Sequence, residues 1–368
     1  MKNRAISYMI FLFLFLGIVM HAAASGNIKS NESIMGLDAV FGEQKYQELC
    51  VQFIDVGQAD AAFITCGNEA MLIDGGNVND SQKIYSILQN SGYKNLKAII
   101  VSHAHEDHCG GIAAALSVCT VDVVYSPVTY YDSDAFLNIT KKATLTIPKA
   151  GETFMLGTAR VEILGPVKSY DNPNNTSIVC KITNGKDSIL FTGDMETTAE
   201  RDLIESGAKL SADVLKVGHH GADTSTGYVF LREVMPTYGI ISVGSNNSYG
   251  HPTEAVLSKL RDADVKVYRT DMQGDIIVKS SGNGITIITD KNQNVNTFVS
   301  ADTKEVVKSK TTVSQTQFGE EVYIGNKNSK VFHYETCRSL PAEKNRVYFN
   351  GRQFAINEGY RPCGNCNP

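Results

Sequence analysis

The histidines of this chain are clustered, and the clustering constrains what the chain can fold into. Six of its eight histidines fall into three short groups, which are His103-Ala104-His105-Glu106-Asp107-His108, His219-His220 and His251. An isolated aspartate, Asp194, follows an apolar run between the first two groups. Histidine is the commonest metal ligand in proteins, and carboxylates bind and bridge divalent cations. The pattern predicts a fold built around a two-metal hydrolytic centre.

The spacing within the first group indicates a loop. Residues 103, 105 and 107 alternate, so they cannot share one helical face, whereas a loop after a strand can point them into one pocket. Two ions held in one pocket lower the pKa of the water that bridges them. They also stabilise the attacking and the leaving oxygen of an in-line attack on phosphorus. We predict two divalent ions, Zn²⁺ or Mn²⁺, with these ligands: His103 and His105 on one, Asp107 and His108 on the other, and Asp194 bridging both.

Strand-like and helix-like segments alternate between residues 45 and 290, and the polar candidates follow the apolar strands. The run 96–101 leads into His103, and the run 71–73 leads into Asp74. Functional groups at strand ends are typical of a sheet core covered by helices, so we predict an α/β fold. Asp74 is expected either to orient a ligand histidine from behind or to be an ordinary turn carboxylate. The predicted helices cover residues 81–92, 133–142, 196–205, 226–234 and 254–262.

The N-terminal residues have the three-part build of a secretory signal peptide. Lys2 and Arg4 precede an apolar run over residues 10–20, and the small residues 22–25 offer a cleavage site. The run is too short to favour a membrane-spanning helix, and an uncleaved anchor is the alternative. The sequence therefore predicts a secreted or cell-surface protein with no integral membrane segment after cleavage.

The charge of the chain limits the partners that it can bind. Residues 25–290 have a formal net charge of −11, against −5 for the whole chain. An acidic body is a poor general counterion for a phosphate backbone. Tight binding of the body to duplex nucleic acid is therefore not expected.

Two cysteines end strand-like runs that meet around Gly57–Asp60. Cys50 and Cys66 can then face each other across a hairpin. A cross-strand disulfide and two separate thiols are the alternatives left open by the sequence.

The C-terminal segment carries a second set of metal ligands. His333 and Cys337 form one pair, Cys363 and Cys366 form another, and 25 residues separate the pairs. Four nitrogen and sulfur ligands suit tetrahedral zinc, and a shell without an open position is structural. A domain of about 50 residues has little core of its own, so a bound metal would stabilise it.

The segment between residues 50 and 290 resembles the metallo-β-lactamase superfamily, whose HxHxDH motif is followed later by Asp and His. Within that superfamily it is similar to the hydrolase domain of ComEC-type competence proteins. The resemblance implies an αββα sandwich with a dinuclear site at one edge of the two sheets. The matching segments are Phe53-Ile54-Asp55-Val56-Gly57-Gln58-Ala59-Asp60, Leu72-Ile73-Asp74-Gly75-Gly76, Val101 to Gly111, Phe191-Thr192-Gly193-Asp194, Leu215 to Gly221, and Tyr249-Gly250-His251-Pro252.

The chain departs from this family in one ligand. Many members place a histidine between the HxHxDH motif and the later aspartate, but residues 109–193 contain none, and Asn174-Asn175-Thr176-Ser177 occupies the region. The first ion is then weakly held, uses a water, or recruits one of the residues 219–220.

The resemblance leaves the roles of three histidines open. One of His219 and His220 is expected to bind metal and the other to donate a proton to a leaving oxygen. We take His219 as the ligand, and Asp107 and His220 as the catalytic residues. His251 fits either a metal ligand or an acid that contacts the substrate.

The C-terminal segment resembles the metal-binding domain of Ada-type DNA repair proteins. Tyr323 to Asn326, Phe332-His333, Cys337 and Gly359 to Pro368 carry the match. In Ada the residue after that phenylalanine is a cysteine that accepts a methyl group, and this chain has His333 instead. Methyl transfer is therefore not expected, and the segment is predicted to bind or to stabilise.

These features predict an exported metal-dependent hydrolase, a phosphodiesterase or nuclease acting on DNA. The alternatives are an esterase for small phosphodiesters of the phosphorylcholine type, and a catalytically degenerate protein that binds DNA or cell wall. No protein partner is predicted. The predicted boundaries are 1–24 for the signal peptide, 45–290 for the hydrolase domain, 291–319 for a linker and 320–368 for the zinc-binding domain.

Overall fold

The computed structural model describes residues 46–300, 322–350 and 352–366. The chain divides into two compact units between Val306 and Val307. We call the described residues 46–300 the body, and the described residues from 322 onwards the tail. The predicted signal peptide, residues 1–24, and residues 301–319 of the predicted linker lie outside the described residues.

The body alternates strands and helices. Its strands, in chain order, are β1 (Leu49–Phe53), β2 (Ala61–Cys66), β3 (Glu69–Gly75), β4 (Asn95–Leu96), β5 (Ala98–Ile100), β6 (Thr120–Val121), β7 (Val124–Tyr125), β8 (Leu145–Thr146), β9 (Thr153–Leu156), β10 (Ala159–Gly165), β11 (Val179–Asn184), β12 (Asp187–Phe191), β13 (Val214–Lys216), β14 (Tyr238–Ile241), β15 (Lys266–Arg269), β16 (Ile276–Ser280) and β17 (Ile285–Thr289). Its α-helices are α1 (Ser81–Ser91), α2 (Glu106–Cys109), α3 (Ile112–Val118), α4 (Asp134–Thr140), α5 (Thr197–Glu205), α6 (Tyr228–Val234), α7 (Glu254–Asp262) and α8 (Thr270–Gln273).

Two large sheets form the middle of the body. The first has the strand order β17-β16-β1-β2-β3-β5-β7-β8, and the second has the order β15-β14-β13-β12-β11-β10-β9. Apolar side chains from both sheets fill the space between them, among them Val51, Ile64, Ile100, Val161, Ile182 and Ile189. Helices α1, α3 and α4 cover the outer face of the first sheet, and α5, α6 and α7 cover that of the second. This confirms the predicted αββα sandwich.

Local sequence explains why these elements form. In β1, Leu49, Val51 and Phe53 are buried and alternate with partly exposed residues, which is the pattern of a strand with one face in the core. Helix α4 begins after Ser133, whose hydroxyl accepts a hydrogen bond from the Phe136 N–H. Helix α1 ends before Gly92, which has a φ of 84° that favours glycine.

The candidate residues lie at one edge of the sandwich. Strands β3, β5 and β7 run parallel in the first sheet, and β12, β13, β14 and β15 run parallel in the second. Asp74 and His103 lie at the carboxyl ends of β3 and β5, while Asp194 and His220 follow β12 and β13. The carboxyl ends of parallel strands are where α/β folds place their sites.

The register of the first hairpin decides between the two cysteine alternatives. Strands β1 and β2 are antiparallel, with Leu49 opposite Cys66 and Cys50 opposite Thr65. Neighbouring residues of a strand point to opposite faces, so the two thiols lie on different sides of the sheet. Both cysteines are free, and the disulfide alternative is excluded.

Residues 297–299, which belong to the predicted linker, are hydrogen-bonded to β15. The Arg269 guanidinium is fully buried, pairs with Asp271, and donates to the backbone carbonyls of Thr297 and Val299. The hydroxyl of Thr297 donates in turn to the Val267 carbonyl. Residues 297–299 are therefore held against the end of β15.

Replacing Arg269 by methionine is expected to lower the free energy of unfolding of the body by about 3–5 kcal/mol, because it removes the guanidinium from a buried carboxylate. Urea denaturation followed by circular dichroism measures the change. Arg232→Met is the matched control, since the Arg232 side chain is 72% exposed. A loss no larger than that of the control would contradict this account.

The tail has a small sheet of its own. It contains β18 (Val322–Asn326), β19 (Val331–Tyr334), β20 (Arg346–Asn350), helix α9 (Arg352–Asn357) and β21 (Arg361–Pro362), with the strand order β20-β18-β19-β21. Its buried cluster consists of Tyr323, Phe332, Phe349, Ala355 and Tyr360. None of the helices in the described part of the chain is long and apolar enough to span a membrane.

Candidate metal centre

The HxHxDH segment begins as a loop and ends as a single helical turn. After β5 the chain passes through Ser102 and His103, and helix α2 begins at Glu106. His103 and His108 are fully buried, and their rings lie 4.2 Å apart between centroids. The Ser102 hydroxyl lies 3.2 Å from Nδ1 of each ring. The loop thus points both imidazoles into one pocket, as the alternating spacing predicts.

Four ligand atoms from both sheets meet in this pocket. Asp107, His108, Asp194 and His220 each offer one atom, and these atoms all lie within 4.8 Å of one another. Three of the four residues are buried, and the Asp107 side chain is 31% exposed. Two imidazoles and two carboxylates at this spacing suit a divalent cation such as Zn²⁺ or Mn²⁺.

Two atoms of this group face each other without a hydrogen bond. His108 Nε2 and Asp194 Oδ1 lie 3.3 Å apart, and each is buried and has no hydrogen-bond partner among the described residues. Buried polar atoms are normally satisfied, so an unsatisfied facing pair needs an explanation. A proton or a metal ion between the two atoms would satisfy both, and the two imidazoles and two carboxylates of the group fit a metal ion.

Asp74 lies behind His108. Its Oδ2 is 2.9 Å from His108 Nδ1, and its Oδ1 accepts a hydrogen bond from the Ser102 N–H at 2.7 Å. A carboxylate accepts, so Nδ1 carries the hydrogen and Nε2 presents its lone pair to the pocket. This is the contact that the predicted orienting role of Asp74 requires.

His220 is oriented in the same way by a backbone carbonyl. Its Nδ1 donates to the Ser242 oxygen at 2.9 Å, which turns Nε2 towards Asp107 Oδ2 at 3.2 Å. His220 is buried, with 2% of its side chain exposed. The geometry therefore favours His220 as the ligand, whereas the sequence-based assignment gave it the proton-donor role and gave the metal to His219.

His219 lies beside the Asp194 carboxylate, on the side that is more exposed to solvent. Its Nε2 is 3.6 Å from Asp194 Oδ2, and its Nδ1 is 3.2 Å from the Thr224 hydroxyl. The side chain is 23% exposed. Both His219 and His220 have a positive φ, 51° and 53°, a strained conformation that is concentrated at functional sites. His219 is thus placed to meet a substrate or an ion on the open side.

The site predicted for the first ion has fewer ligands than the four-residue group. His103 Nε2 lies 3.0 Å from His105 Nδ1 and 3.8 Å from Asp194 Oδ2. Asn174, in the region where many family members carry a histidine, donates to Glu196, and its Oδ1 is buried without a hydrogen-bond partner among the described residues. His103 thus lies near both His105 and Asp194, and residues 109–193 contribute no further histidine.

His251 lies outside the four-residue group. Its ring stacks on Tyr249 with 5.7 Å between centroids and meets the His219 ring edge-on at 5.8 Å. Burial, together with the two neighbouring histidines, lowers the pKa of His251 to about 4. An imidazole with that pKa is neutral at pH 7, so it is suited to accept a hydrogen bond and not to act as an acid.

The carboxylates give the pocket a strong preference for positive charge. Burial alone would lower the pKa of His108, but Asp194, Asp107 and Asp74 raise it well above its ordinary value. Burial alone would raise the pKa of Asp194, but His108 and His220 hold it well below its ordinary value. The same field that favours protons on the imidazoles favours a divalent cation among them.

Two residues of the pocket were missed by the sequence analysis. Asp60 is 5% exposed, Lys216 is 3% exposed, and Lys216 Nζ lies 2.6 Å from Asp60 Oδ2. The available signal was a lysine inside the apolar run Val214-Leu215-Lys216-Val217. A charged side chain in a buried strand needs a partner, but the sequence does not say which carboxylate provides it.

The tail brings its four predicted ligands together. One atom each of His333, Cys337, Cys363 and Cys366 lies within 4.8 Å of the others. Burial lowers the pKa of His333, which keeps the imidazole neutral and ready to bind metal. Four ligands around one point leave no open position, as expected for a structural zinc site.

Comparison with known proteins agrees with this geometry. A family model described as the metallo-beta-lactamase superfamily matches residues 54–245, and the model for the metal binding domain of Ada matches residues 309–368. The chain is 31% identical over 250 residues to "ComE operon protein 3" of Bacillus subtilis and 31% identical over 231 residues to "Competence protein ComA" of Neisseria gonorrhoeae. These matches cover 61% and 62% of this chain but only 32% of each relative.

Among solved structures, the metallo-β-lactamase fold protein YhfI from Bacillus subtilis aligns with a TM-score of 0.45 and 13% identity, over 64% of this chain and 100% of that chain. The matched family model itself spans more than half of the chain and contains the HxHxDH segment and Asp194. The chain belongs to the metallo-β-lactamase superfamily, and its C-terminal segment is a metal-binding domain of the Ada type.

Proposed function

We propose that the chain is an exported two-metal phosphodiesterase that acts on DNA. The observation that carries the proposal is the buried facing pair His108 Nε2 and Asp194 Oδ1, within a group of four ligands at the open edge of the sandwich. Two divalent ions held there lower the pKa of a shared water and stabilise the charge that develops on phosphate oxygens.

The residues of the metal centre have different proposed roles. His103 and His105 would hold one ion, Asp107, His108 and His220 would hold the other, and Asp194 would serve both. Asp107 would also take part in catalysis, as predicted, because its side chain is the most exposed of the four-residue group and can reach a substrate. His219 donates a proton to the leaving oxygen, because its Nε2 lies beside Asp194 on the partly exposed side of the centre.

A groove beside the centre supports a polymeric substrate. Its volume is about 550 Å³, and its lining includes Lys149, Lys168, Tyr170 and Thr176. Thr176 precedes Ser177, whose hydroxyl accepts from the Asp194 N–H at 3.0 Å, so this wall is close to the metal ligands. Lys149 is exposed at the groove and offers a positive charge to phosphate groups, whereas Lys168 is paired with Asp202 at 2.7 Å.

DNA is proposed as the polymer because both units resemble proteins of families that act on DNA. The alternative is a small phosphodiester of the phosphorylcholine type, which the acidic charge of the body favours. Turnover of bis-p-nitrophenyl phosphate and of single-stranded DNA, each with Mn²⁺ or Zn²⁺, tests the proposal. Turnover of neither by fully metal-loaded protein would instead support a binding protein.

Lys149→Ala is expected to separate the two substrates. The Lys149 side chain is exposed at the groove, so its loss should raise KM for single-stranded DNA by about fivefold, or about 1 kcal/mol per phosphate contact. The kinetic constants for bis-p-nitrophenyl phosphate should not change, because a small diester does not reach the groove. Lys186→Ala, on the turn between β11 and β12, is the control, and an equal effect of the two variants would argue against a polymer.

Export is proposed from the sequence of residues 1–25. A basic start, an apolar run and a stretch of small residues support cleavage near residue 24. Determining the N-terminal residue of the protein recovered from the culture medium or cell surface tests it. Protein that starts at Met1 and stays inside the cell would refute export.

A further inference from the structure

A buried ammonium group lies directly behind the metal centre. Lys216 ends β13, and its Nζ contacts Asp60 Oδ2 at 2.6 Å and donates to the Val217 carbonyl at 3.1 Å. A cavity of about 10 Å³ beside it is lined mainly by apolar groups, including Phe53, Ala62, Ile178 and Phe191. Desolvating an ammonium in such surroundings is costly, and the contact with the Asp60 carboxylate offsets part of that cost.

Asp60 connects this ammonium to the ligands. Its Oδ1 lies 3.3 Å from His220 Nδ1, and its Oδ2 lies 3.9 Å from His108 Nδ1. These are the ring nitrogens that face away from the pocket, while Nε2 of each ring faces Asp194 or Asp107. One carboxylate therefore lies behind both imidazoles of the four-residue group.

Asp60 is held in place by an ionic contact and by its backbone. Its carboxylate pairs with the Lys216 ammonium at 2.6 Å. Its backbone is fixed as well, because the Asp60 N–H donates to the Asp107 carbonyl at 3.0 Å and the Gly76 N–H donates to the Asp60 carbonyl at 2.8 Å. The negative charge is thus held at a defined distance from the two ring nitrogens.

We propose that Lys216 and Asp60 are positioning residues that hold His108 and His220 with their Nε2 lone pairs directed at the second ion. The charge of Asp60 reinforces the hydrogen on Nδ1 of both rings, which is donated to Asp74 in His108 and to the Ser242 carbonyl in His220. Lys216 holds Asp60 there without occupying a ligand position. This inference rests on the proposed two-ion centre and adds two residues to it that bind neither ion. Carboxylates placed behind ligand histidines in this way typically change metal affinity by about 10–100-fold.

The experiment measures Mn²⁺ binding to the full chain by the loss of the free-ion electron paramagnetic resonance signal. In Asp60→Asn and in Lys216→Met, one of the two Mn²⁺ binding events should weaken by about 10–100-fold. The double variant Asp60→Asn/Lys216→Met removes both buried charges, so its free energy of unfolding should return close to that of the parent chain. Its Mn²⁺ affinity should stay low, because the negative charge behind the two rings is then absent, although Asp74 and the Ser242 carbonyl still contact them.

In the double variant we expect the free energy of unfolding to recover while the Mn²⁺ affinity stays low. This difference distinguishes a pair that positions the ligands from a pair that only stabilises the fold. Affinity that recovers together with stability, or that is unchanged in Asp60→Asn, would overturn the inference and leave the proposed function standing. A parent chain that binds no Mn²⁺ in the body would overturn both. Lys83→Met is the matched control, since Lys83 and Asp275 form a more exposed pair at 3.5 Å and should leave Mn²⁺ affinity unchanged.

Discussion

Replacing Asp194 by alanine is expected to lower the rate of phosphodiester hydrolysis by at least about 10³-fold, or about 4 kcal/mol of transition-state stabilisation. The carboxylate faces both halves of the pocket, with Oδ1 3.3 Å from His108 Nε2 and Oδ2 3.8 Å from His103 Nε2. Its loss removes a ligand from each ion at once. Initial rates with bis-p-nitrophenyl phosphate, and metal content by mass spectrometry, measure the two effects.

The metal content of the variant separates a local effect from unfolding. The body should lose at least one ion, while the zinc of the tail should remain, because Asp194 and the tail ligands belong to different compact units. Asp290→Asn is the control, since Asp290 is exposed on the turn after β17 and should leave both activity and metal content unchanged. Activity that survives in Asp194→Ala would contradict the bridging role.

Replacing Cys363 by serine is expected to unfold the tail. The tail buries a cluster of five apolar residues, and a core of that size contributes only about 3–5 kcal/mol. A structural zinc in a small domain contributes about 10–16 kcal/mol at neutral pH, so the metal dominates the stability of the tail. The zinc content should fall by one ion per chain, and residues 322–366 should become sensitive to proteases.

The body supplies the internal reference for this variant. Its melting temperature and its hydrolysis of bis-p-nitrophenyl phosphate should match those of the parent chain. Cys50→Ser is the matched control, because it changes a half-buried free thiol in β1. Cys180→Ser would be a poor control, because Cys180 is fully buried between the sheets. A tail that keeps its protease resistance without zinc would show that the small core is sufficient.

Much of the fold and of the centre follows from local sequence. Apolar runs that end at His103 and Asp194 predict strands that deliver ligands to one edge, and the structure has those strands. The predicted helix over residues 254–262 is present, and its start is fixed by Thr253, whose hydroxyl accepts from the Val256 N–H. Such signals are readable because they act over a few neighbouring residues.

The remaining features depend on contacts between distant segments. Whether His219 or His220 enters the pocket is decided by the Ser242 carbonyl, which belongs to another strand end. The pairing of Lys216 with Asp60 likewise joins the end of β13 to the loop after β1. No periodicity in the sequence reports either contact, so the sequence could indicate a set of ligands but not the arrangement that holds them.

The origin of the ligands in both sheets has a mechanical consequence. His103 and His108 follow a strand of the first sheet, whereas Asp194 and His220 follow strands of the second. An ion bound by these residues would link the two sheets, so its binding would also stabilise their packing against each other. The stacked rings of Phe53 and Phe191, 5.5 Å apart, set that separation just beneath the pocket. Replacing either phenylalanine by a smaller residue should therefore weaken metal binding in the body.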